Sequence, residues 1–217
     1  MKIIEPSVKI LSTEDPIEML RRVERCARIC YKSEEKITTN SYDKFLRGVI
    51  RRGHLSVIEH GVLTVLVICD RGVSHEIVRH RIGSYSQEST RYVNYEDGME
   101  FIKPSFWNDN TVNMEIWKAA MLEDEKRYQA LIGLFATPEQ ARCILPNSLK
   151  TEIAITYNLR EWRHFLELRG SRAAHPQIRE VAIMILEEFH KSVPVIFDDL
   201  IVVEDKIMGK TIKLGGE

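Results

Sequence analysis

The segment Arg79-His80-Arg81-Ile82-Gly83-Ser84-Tyr85-Ser86-Gln87-Glu88-Ser89-Thr90-Arg91-Tyr92 concentrates polar chemistry. It holds three arginines, the aliphatic hydroxyls of Ser84, Ser86, Ser89 and Thr90, the Gln87 amide and Gly83. Guanidinium forks match phosphate oxygens two bonds at a time, and hydroxyls and loop N–H groups supply further donors. The chain as a whole has 31 Lys+Arg against 32 Asp+Glu, a formal net charge of −1. General nucleic-acid binders carry a basic excess, so this cluster reads as a dedicated local site for a phosphorylated small molecule. Composition alone also fits a solvated surface helix followed by a polar loop.

Other apparent motifs fail on spacing. His75-Glu76-Ile77-Val78-Arg79-His80 is one residue away from a zinc-protease pattern, which needs its histidines at i and i+4. Arg79 takes that place, and a histidine at i+5 points roughly 140° away on an ideal helix, so no metal is expected. Gly209-Lys210-Thr211 resembles the end of a phosphate loop, but Glu204 stands where its first glycine is required. No GxGxxG occurs, which argues against a Rossmann dinucleotide site. Cys26, Cys30, Cys69 and Cys143 form no CxxC pair and none adjoins a histidine, so they are read as reduced thiols in a packing role.

The elements that must position the cluster follow from periodicity. Residues 2–11 suggest an edge strand. Asp15-Pro16 opens a helix to about Lys32, with Ile17, Leu20, Val23 and Ala27 as its apolar stripe. Ser41 is placed as the cap of a second helix that buries Phe45, Leu46, Val49 and Ile50 and ends at Gly53. The β-branched run Val62–Cys69 predicts a central strand. A helix from about Val73 to Arg81 and a polar loop from Gly83 to about Asn94 follow. Met99–Ile102 predicts a short strand, and Thr111 to Phe135 a long helix with Trp117, Ala120, Met121, Tyr128, Leu131 and Phe135 on one side. Thr137-Pro138 starts a short helix that stops near Pro146. Ile153, Ile155 and Tyr157 alternate along a strand at Thr151–Asn158, and helices cover Arg160–Arg169 and Pro176 to about Lys191. Long helices with well-separated strands indicate an α+β fold. The absence of repeats and linkers predicts a single domain over residues 1–217, with a loosely attached polar tail after about 203. No apolar stretch reaches membrane-spanning length, and the first residues show no signal-peptide pattern, so the expected location is the cytoplasm without a membrane partner.

Arg79-His80-Arg81, seven residues, then Ser89 resembles the RHRx7S signature of flavin-dependent thymidylate synthases. Further blocks agree in order: His54-x-Ser56 with Glu59-His60 upstream, and Ala141-Arg142-Cys143-Ile144-Leu145-Pro146 downstream. Asn158-Leu159-Arg160, Arg163-His164-Phe165 and Leu168-Arg169 complete the set, so the likeness spans roughly residues 40–190. It implies one domain with a mixed or antiparallel central sheet flanked by long helices. It also implies reductive methylation of dUMP to dTMP with FAD, NADPH and 5,10-methylenetetrahydrofolate, in a homotetramer with shared active sites. Carried over by position, Glu76, Arg79, Gln87, Ser89, Thr90, Arg91, Arg142 and Arg169 are implied to hold dUMP. Ser56, Arg79, His80, Arg81, Gln87, Asn158, Arg160 and His164 are implied to hold FAD. Arg169 is implied to activate the uracil. It is always protonated and so stabilises developing negative charge rather than donating a proton. Ser89 has no evident activating base beside it and is read as a binding hydroxyl. His175 and Gln177 both remain candidates for a further flavin contact. The competing readings are another flavin or nucleotide enzyme, and a non-enzymatic anion- or RNA-binding protein.

Overall fold

Asp15 fixes where the first long helix begins. Its carboxylate accepts the N–H groups of Ile17 at 2.8 Å and Glu18 at 3.1 Å, while Pro16 takes the first helical position. The computed structural model describes residues 1–209, so Lys210 and Thr211 of the phosphate-loop-like segment lie outside the described residues. In chain order the elements begin β1 (Lys2–Ile4), β2 (Ser7–Ile10), α1 (Pro16–Ile29), α2 (Ser41–Arg51), β3 (Val62–Asp70), α3 (Arg71–Ile77), β4 (Ser84–Gln87) and β5 (Glu100–Ile102). They continue α4 (Val112–Gly133), α5 (Pro138–Ala141), β6 (Lys150–Asn158), α6 (Leu159–Arg169), α7 (Pro176–Ser192), α8 (Pro194–Phe197), β7 (Leu200–Val203) and β8 (Lys206–Gly209). Short 3-10 turns lie at Glu34–Lys36, Leu55–His60 and Arg142–Ile144.

A four-stranded sheet has the order β2-β3-β6-β4; β1 pairs with β5 in parallel, and β7 with β8 antiparallel. The chain divides into two compact units. The first comprises residues 1–8, 66–81 and 85–155; the second comprises 9–65, 82–84 and 156 onward.

The first unit is built around α4. Met114, Trp117, Met121 and Tyr128 pack with Tyr95, Met99, Phe101, Ala141 and Leu149. Glu125 shares the buried face of that helix because it is fully used there: it accepts the Met99 N–H at 2.7 Å and pairs with the Met1 amino group at 2.8 Å. Those two contacts outweigh burial and hold its carboxyl below the usual range.

The second unit is centred on Trp162, which is fully buried and meets the rings of Tyr157, Phe165 and Phe189 at 4.5, 5.8 and 5.2 Å between centroids. Its indole N–H donates to the Leu63 carbonyl at 3.0 Å, so the polar edge of a large apolar group is satisfied. Gly83 lies against the same cluster. A Cβ there would stand 2.2 Å from the Tyr157 ring, so the glycine of the polar segment is required by packing.

Several expectations change. The single strand over residues 2–11 is two strands, broken at Pro6, whose missing N–H cannot continue a ladder. Ile17 is exposed, and Met19 joins Leu20, Val23 and Ala27 inside. Asn40 precedes α2 without a side-chain cap bond; Ser41 is helical, and its hydroxyl donates to Glu24 at 2.9 Å instead of capping. Helix α3 stops at Ile77, four residues before the predicted end. The predicted loop contains β4. Ala120 and Phe135 are exposed, the latter beyond the helix end at φ 67°. Residues 204–209, placed by sequence in the loose tail, turn back as β8. Glu204 and Asp205 take positive φ at the turn, Ile207 is buried, and its N–H donates to the Gly170 carbonyl at 2.8 Å.

Candidate functional site

In the first unit the arginine cluster begins where α3 ends. Asp70 caps the helix by accepting the Val73 N–H at 2.8 Å. After Ile77 the chain tightens: the N–H groups of Arg79 and His80 bond back to the carbonyls of Glu76 and Ile77 at 3.3 and 3.1 Å. The Tyr85 hydroxyl, from β4, donates to the Ile77 carbonyl at 3.2 Å and to the His80 carbonyl. This clamp divides the Arg-His-Arg segment. Arg79 and Arg81 are exposed, and neither side chain has a hydrogen-bond or ion-pair partner among the described residues, whereas His80 is buried. Glu76 is half-buried on α3.

Gln87 ends β4 with its side chain held from two sides. Its amide nitrogen donates to Ser74 Oγ at 2.9 Å and to Thr151 Oγ1 at 3.1 Å, and both hydroxyl residues are fully buried. Next to it, Ser89 Oγ accepts the Arg91 N–H at 3.3 Å, and Thr90 is buried. Arg91 pairs with Glu139 at 2.7 Å and lies 5.5 Å from the Tyr92 ring centroid. That pair joins the 89–91 loop to α5, directly before Arg142, whose exposed side chain has no partner among the described residues. The first unit therefore brings Gln87, Ser89, Thr90, Arg91 and Arg142 into one connected stretch of structure.

Glu88 faces a different environment. It accepts the Tyr95 hydroxyl at 2.7 Å and Lys150 at 3.0 Å, and Lys150 also holds Glu152 at 2.6 Å. Burial first, then the Glu88 carboxylate, push the Tyr95 hydroxyl well above its ordinary value. For Lys150 burial pulls down, but the two carboxylates outweigh it and raise the ammonium. Glu88, Tyr95 and Lys150 line a cavity of about 550 Å³ together with Met1, Lys2 and Met99 among others; none of the predicted site residues lines it.

In the second unit the predicted residues follow the 3-10 turn Leu55–His60 and helix α6. Ser56 is exposed on the turn. Asn158 caps α6 by accepting the Glu161 N–H at 2.8 Å, and Arg160 pairs with Glu59 at 2.7 Å. The Leu159 N–H donates to the Gly61 carbonyl at 2.9 Å, fixing the turn to the start of the helix. His164 is exposed mid-helix, and Arg169 is half-buried in the last turn. Arg169 stands nine positions after Arg160, about 14 Å along the axis, so the two occupy opposite ends of α6. His175 caps α7: its Nδ1 accepts the Gln177 N–H at 3.4 Å.

Three structurally decisive groups are given no role by the sequence alone. Ser74 and Thr151 are the buried acceptors for Gln87, and Arg163 is buried on α6 with a two-pronged bond to Asp199 at 2.7 Å on each arm. A signal existed for Thr151, since it is a polar residue in the same inward register as Ile153, Ile155 and Tyr157.

A solved structure shares this α+β fold. The UMP/dUMP methylase PolB from Streptomyces cacaoi, solved bound with 5-Br dUMP, shares it with a TM-score of 0.75 and 24% identity, covering 91% of this chain and 96% of that one. The family model described as thymidylate synthase complementing protein matches residues 13–195. A flavin-dependent thymidylate synthase from Pyrococcus furiosus is 40% identical over 164 residues, 74% of this chain and 67% of its own. One from Geobacter sulfurreducens is 36% identical over 181 residues, 80% of this chain and 78% of its own. The chain belongs to the flavin-dependent thymidylate synthase family, and is an enzyme of that class.

Proposed function

We propose that this protein converts dUMP to dTMP by reductive methylation, taking the carbon from 5,10-methylenetetrahydrofolate and the hydride from FAD reduced by NADPH. One observation carries the reading: Arg79, Arg81 and Arg142 are exposed cations without side-chain partners among the described residues, inside or beside the family signature. Exposed guanidiniums that no carboxylate neutralises suit phosphate and pyrophosphate oxygens.

The donor set fits a flavin dinucleotide. Arg79 and Arg81 can meet its pyrophosphate, and Asn158 keeps its amide N–H groups after its carbonyl is spent on the helix cap. Of the residues proposed for FAD, the first unit carries Arg79, His80, Arg81 and Gln87. The second carries Ser56, Asn158, Arg160 and His164. When bound, the flavin supplies the hydride chemistry. Glu76, Arg79, Gln87, Ser89, Thr90, Arg91 and Arg142 are proposed to hold and orient dUMP. Arg169 is proposed to stabilise the negative charge that develops on the uracil as C5 becomes nucleophilic, a contribution of about 2–4 kcal/mol for one preorganised donor.

The assembly is proposed to be a homotetramer with active sites shared between copies. Val112, Ile116 and Leu122 are exposed on α4, and Leu134 and Phe135 just beyond it, apolar side chains that a second copy would cover. No helix among the described residues is long and apolar enough to cross a membrane. A cytoplasmic enzyme working on small molecules, without nucleic acid or membrane partners, is the accompanying proposal.

Two observations test the reading together. The purified protein should be yellow, and it should oxidise NADPH in a manner that depends on dUMP or folate. A colourless protein that retards RNA in a gel would favour an anion-binding module instead. Subunit exchange between inactive Arg79→Ala and inactive Arg169→Ala protein should restore dTMP formation if the two residues enter a site from different copies. A monomer that holds FAD and turns over at full rate would defeat the shared-site proposal.

A further inference from the structure

Gln87 is the only amide side chain in the signature segment, and its surroundings decide which of its two faces a ligand can meet. Ser74 Oγ donates its single proton to the Arg71 carbonyl at 2.9 Å. It can therefore only accept from Gln87, which places the amide nitrogen, not the oxygen, 2.9 Å from it. The second N–H goes to Thr151 Oγ1 at 3.1 Å. Turning the amide over would set its carbonyl oxygen against the lone pairs of Ser74 and keep at most the one bond from Thr151. Ser74 and Thr151 are both completely buried, so water cannot repair that loss. The Gln87 oxygen has no hydrogen-bond partner among the described residues, and the residue is half-exposed.

We infer that Ser74 and Thr151 are positioning residues that lock the Gln87 amide with its carbonyl toward ligand, making Gln87 a reader of ligand hydrogen-bond donors. Arg79, Arg81, Arg91 and Arg142 can only donate. The ligand groups suited to them are phosphate oxygens and carbonyls. Gln87 is the complementary neutral acceptor, suited to a ring imide N–H or a sugar hydroxyl and unsuited to a phosphate. The imide N–H is present on both uracil and the flavin ring, so the inference deepens the proposed function and rests on it.

Dissociation constants for dUMP, FAD and inorganic phosphate separate the cases, measured on the full chain for the wild type, Ser74→Ala, Thr151→Val, Gln87→Ala and the Ser74→Ala/Gln87→Ala double variant. Gln87→Ala should weaken dUMP or FAD about three- to tenfold, the effect of one hydrogen bond, and leave phosphate binding unchanged. Whichever ligand weakens is the one whose donor Gln87 reads. Ser74→Ala should weaken the same ligand and add nothing once Gln87 is alanine; Thr151→Val, which keeps the side-chain shape, should behave likewise. Additive losses, or a parallel loss of phosphate binding, would overturn the lock. Exchange of the Gln87 amide protons, followed by NMR on protein labelled at glutamine nitrogen, reads the lock without any ligand. Slow exchange in the wild type that becomes fast in Ser74→Ala is expected, and equally fast exchange in both refutes it. A wild type that binds neither dUMP nor FAD refutes the proposed function instead, and the exchange result then stands by itself.

Discussion

The two units hold some of their predicted site residues in opposite ways. In the first, Arg79, Arg81 and Arg142 are exposed and unneutralised among the described residues, and the fold around them is secured by other groups: the Asp70 cap, the Tyr85 clamp, and Ser74 and Thr151 beneath Gln87. In the second, Asn158 caps α6, Arg160 pairs with Glu59, and the neighbouring Arg163 is buried against Asp199. At Arg79, Arg81 and Arg142 the first unit separates binding from stability; at Asn158 and Arg160 the second makes the same residues serve both. Loss of activity after a substitution therefore means different things in the two units.

The largest expected effect sharpens that contrast in the second unit. Arg163 Nη1 and Nη2 reach Asp199, Nη1 also reaches the Ile196 carbonyl, and Nε is buried without a hydrogen-bond partner. Arg163→Ala would break a mostly buried charge pair, at a cost of about 3–5 kcal/mol. Urea denaturation should show the midpoint falling with little change in slope. A variant as stable as the wild type would remove Arg163 from the framework of α6.

Next in size is the difference between Arg169 and Ser89. Arg169→Ala should raise the barrier to dTMP formation by about 2–4 kcal/mol, and Ser89→Ala by about 0.5–1.5 kcal/mol. Steady-state rates at saturating dUMP measure both. A dead Ser89→Ala enzyme that still binds dUMP would give the serine a covalent role and break the assignment.

The comparison itself is tested by Asn158→Ala against Arg79→Ala. Removing the cap should cost about 1 kcal/mol of stability as well as weakening FAD binding. Arg79→Ala should weaken ligand binding while leaving stability within about 0.5 kcal/mol of the wild type. Thermal denaturation beside flavin titration gives both numbers. Equal destabilisation in the two variants would erase the distinction between the units.

The smallest effect is expected from the cysteines. Cys69 is buried, and burial raises its thiol well above the usual range, while Cys30 and Cys143 are exposed and Cys26 is half-buried. Cys69 therefore lacks the lowered value a nucleophile needs. A folded variant lacking all four should retain substantial dTMP synthesis.

How much of this was legible in the sequence depended on whether a residue's partners were near in the chain. α1, α4, α6 and α7 follow the 3.6-residue period, and caps such as Asp15 and Thr137 stand immediately before the helices they start. β4 was missed because Ser84-Tyr85-Ser86-Gln87 shows no apolar alternation; its inner positions are filled by a phenol and an amide whose polar tips find partners inside. Those partners, Ser74 and Thr151, lie 13 and 64 residues from Gln87, beyond any local pattern. The signature located the cluster well but could not show that His80 turns inward while Arg79 and Arg81 stay exposed. That division follows from the end of α3 at Ile77 and the Tyr85 clamp.

In the function proposed above, the exposed cations of the first unit serve dUMP methylation. Its most direct test is dTMP formation from dUMP, 5,10-methylenetetrahydrofolate and NADPH with FAD present, comparing wild type with Arg79→Ala. The wild type should form dTMP in step with NADPH oxidation and in dependence on added FAD, and the variant should lose most of its activity despite an unchanged melting temperature. Absence of dTMP from a folded, flavin-loaded wild type, or full activity without Arg79, would contradict it.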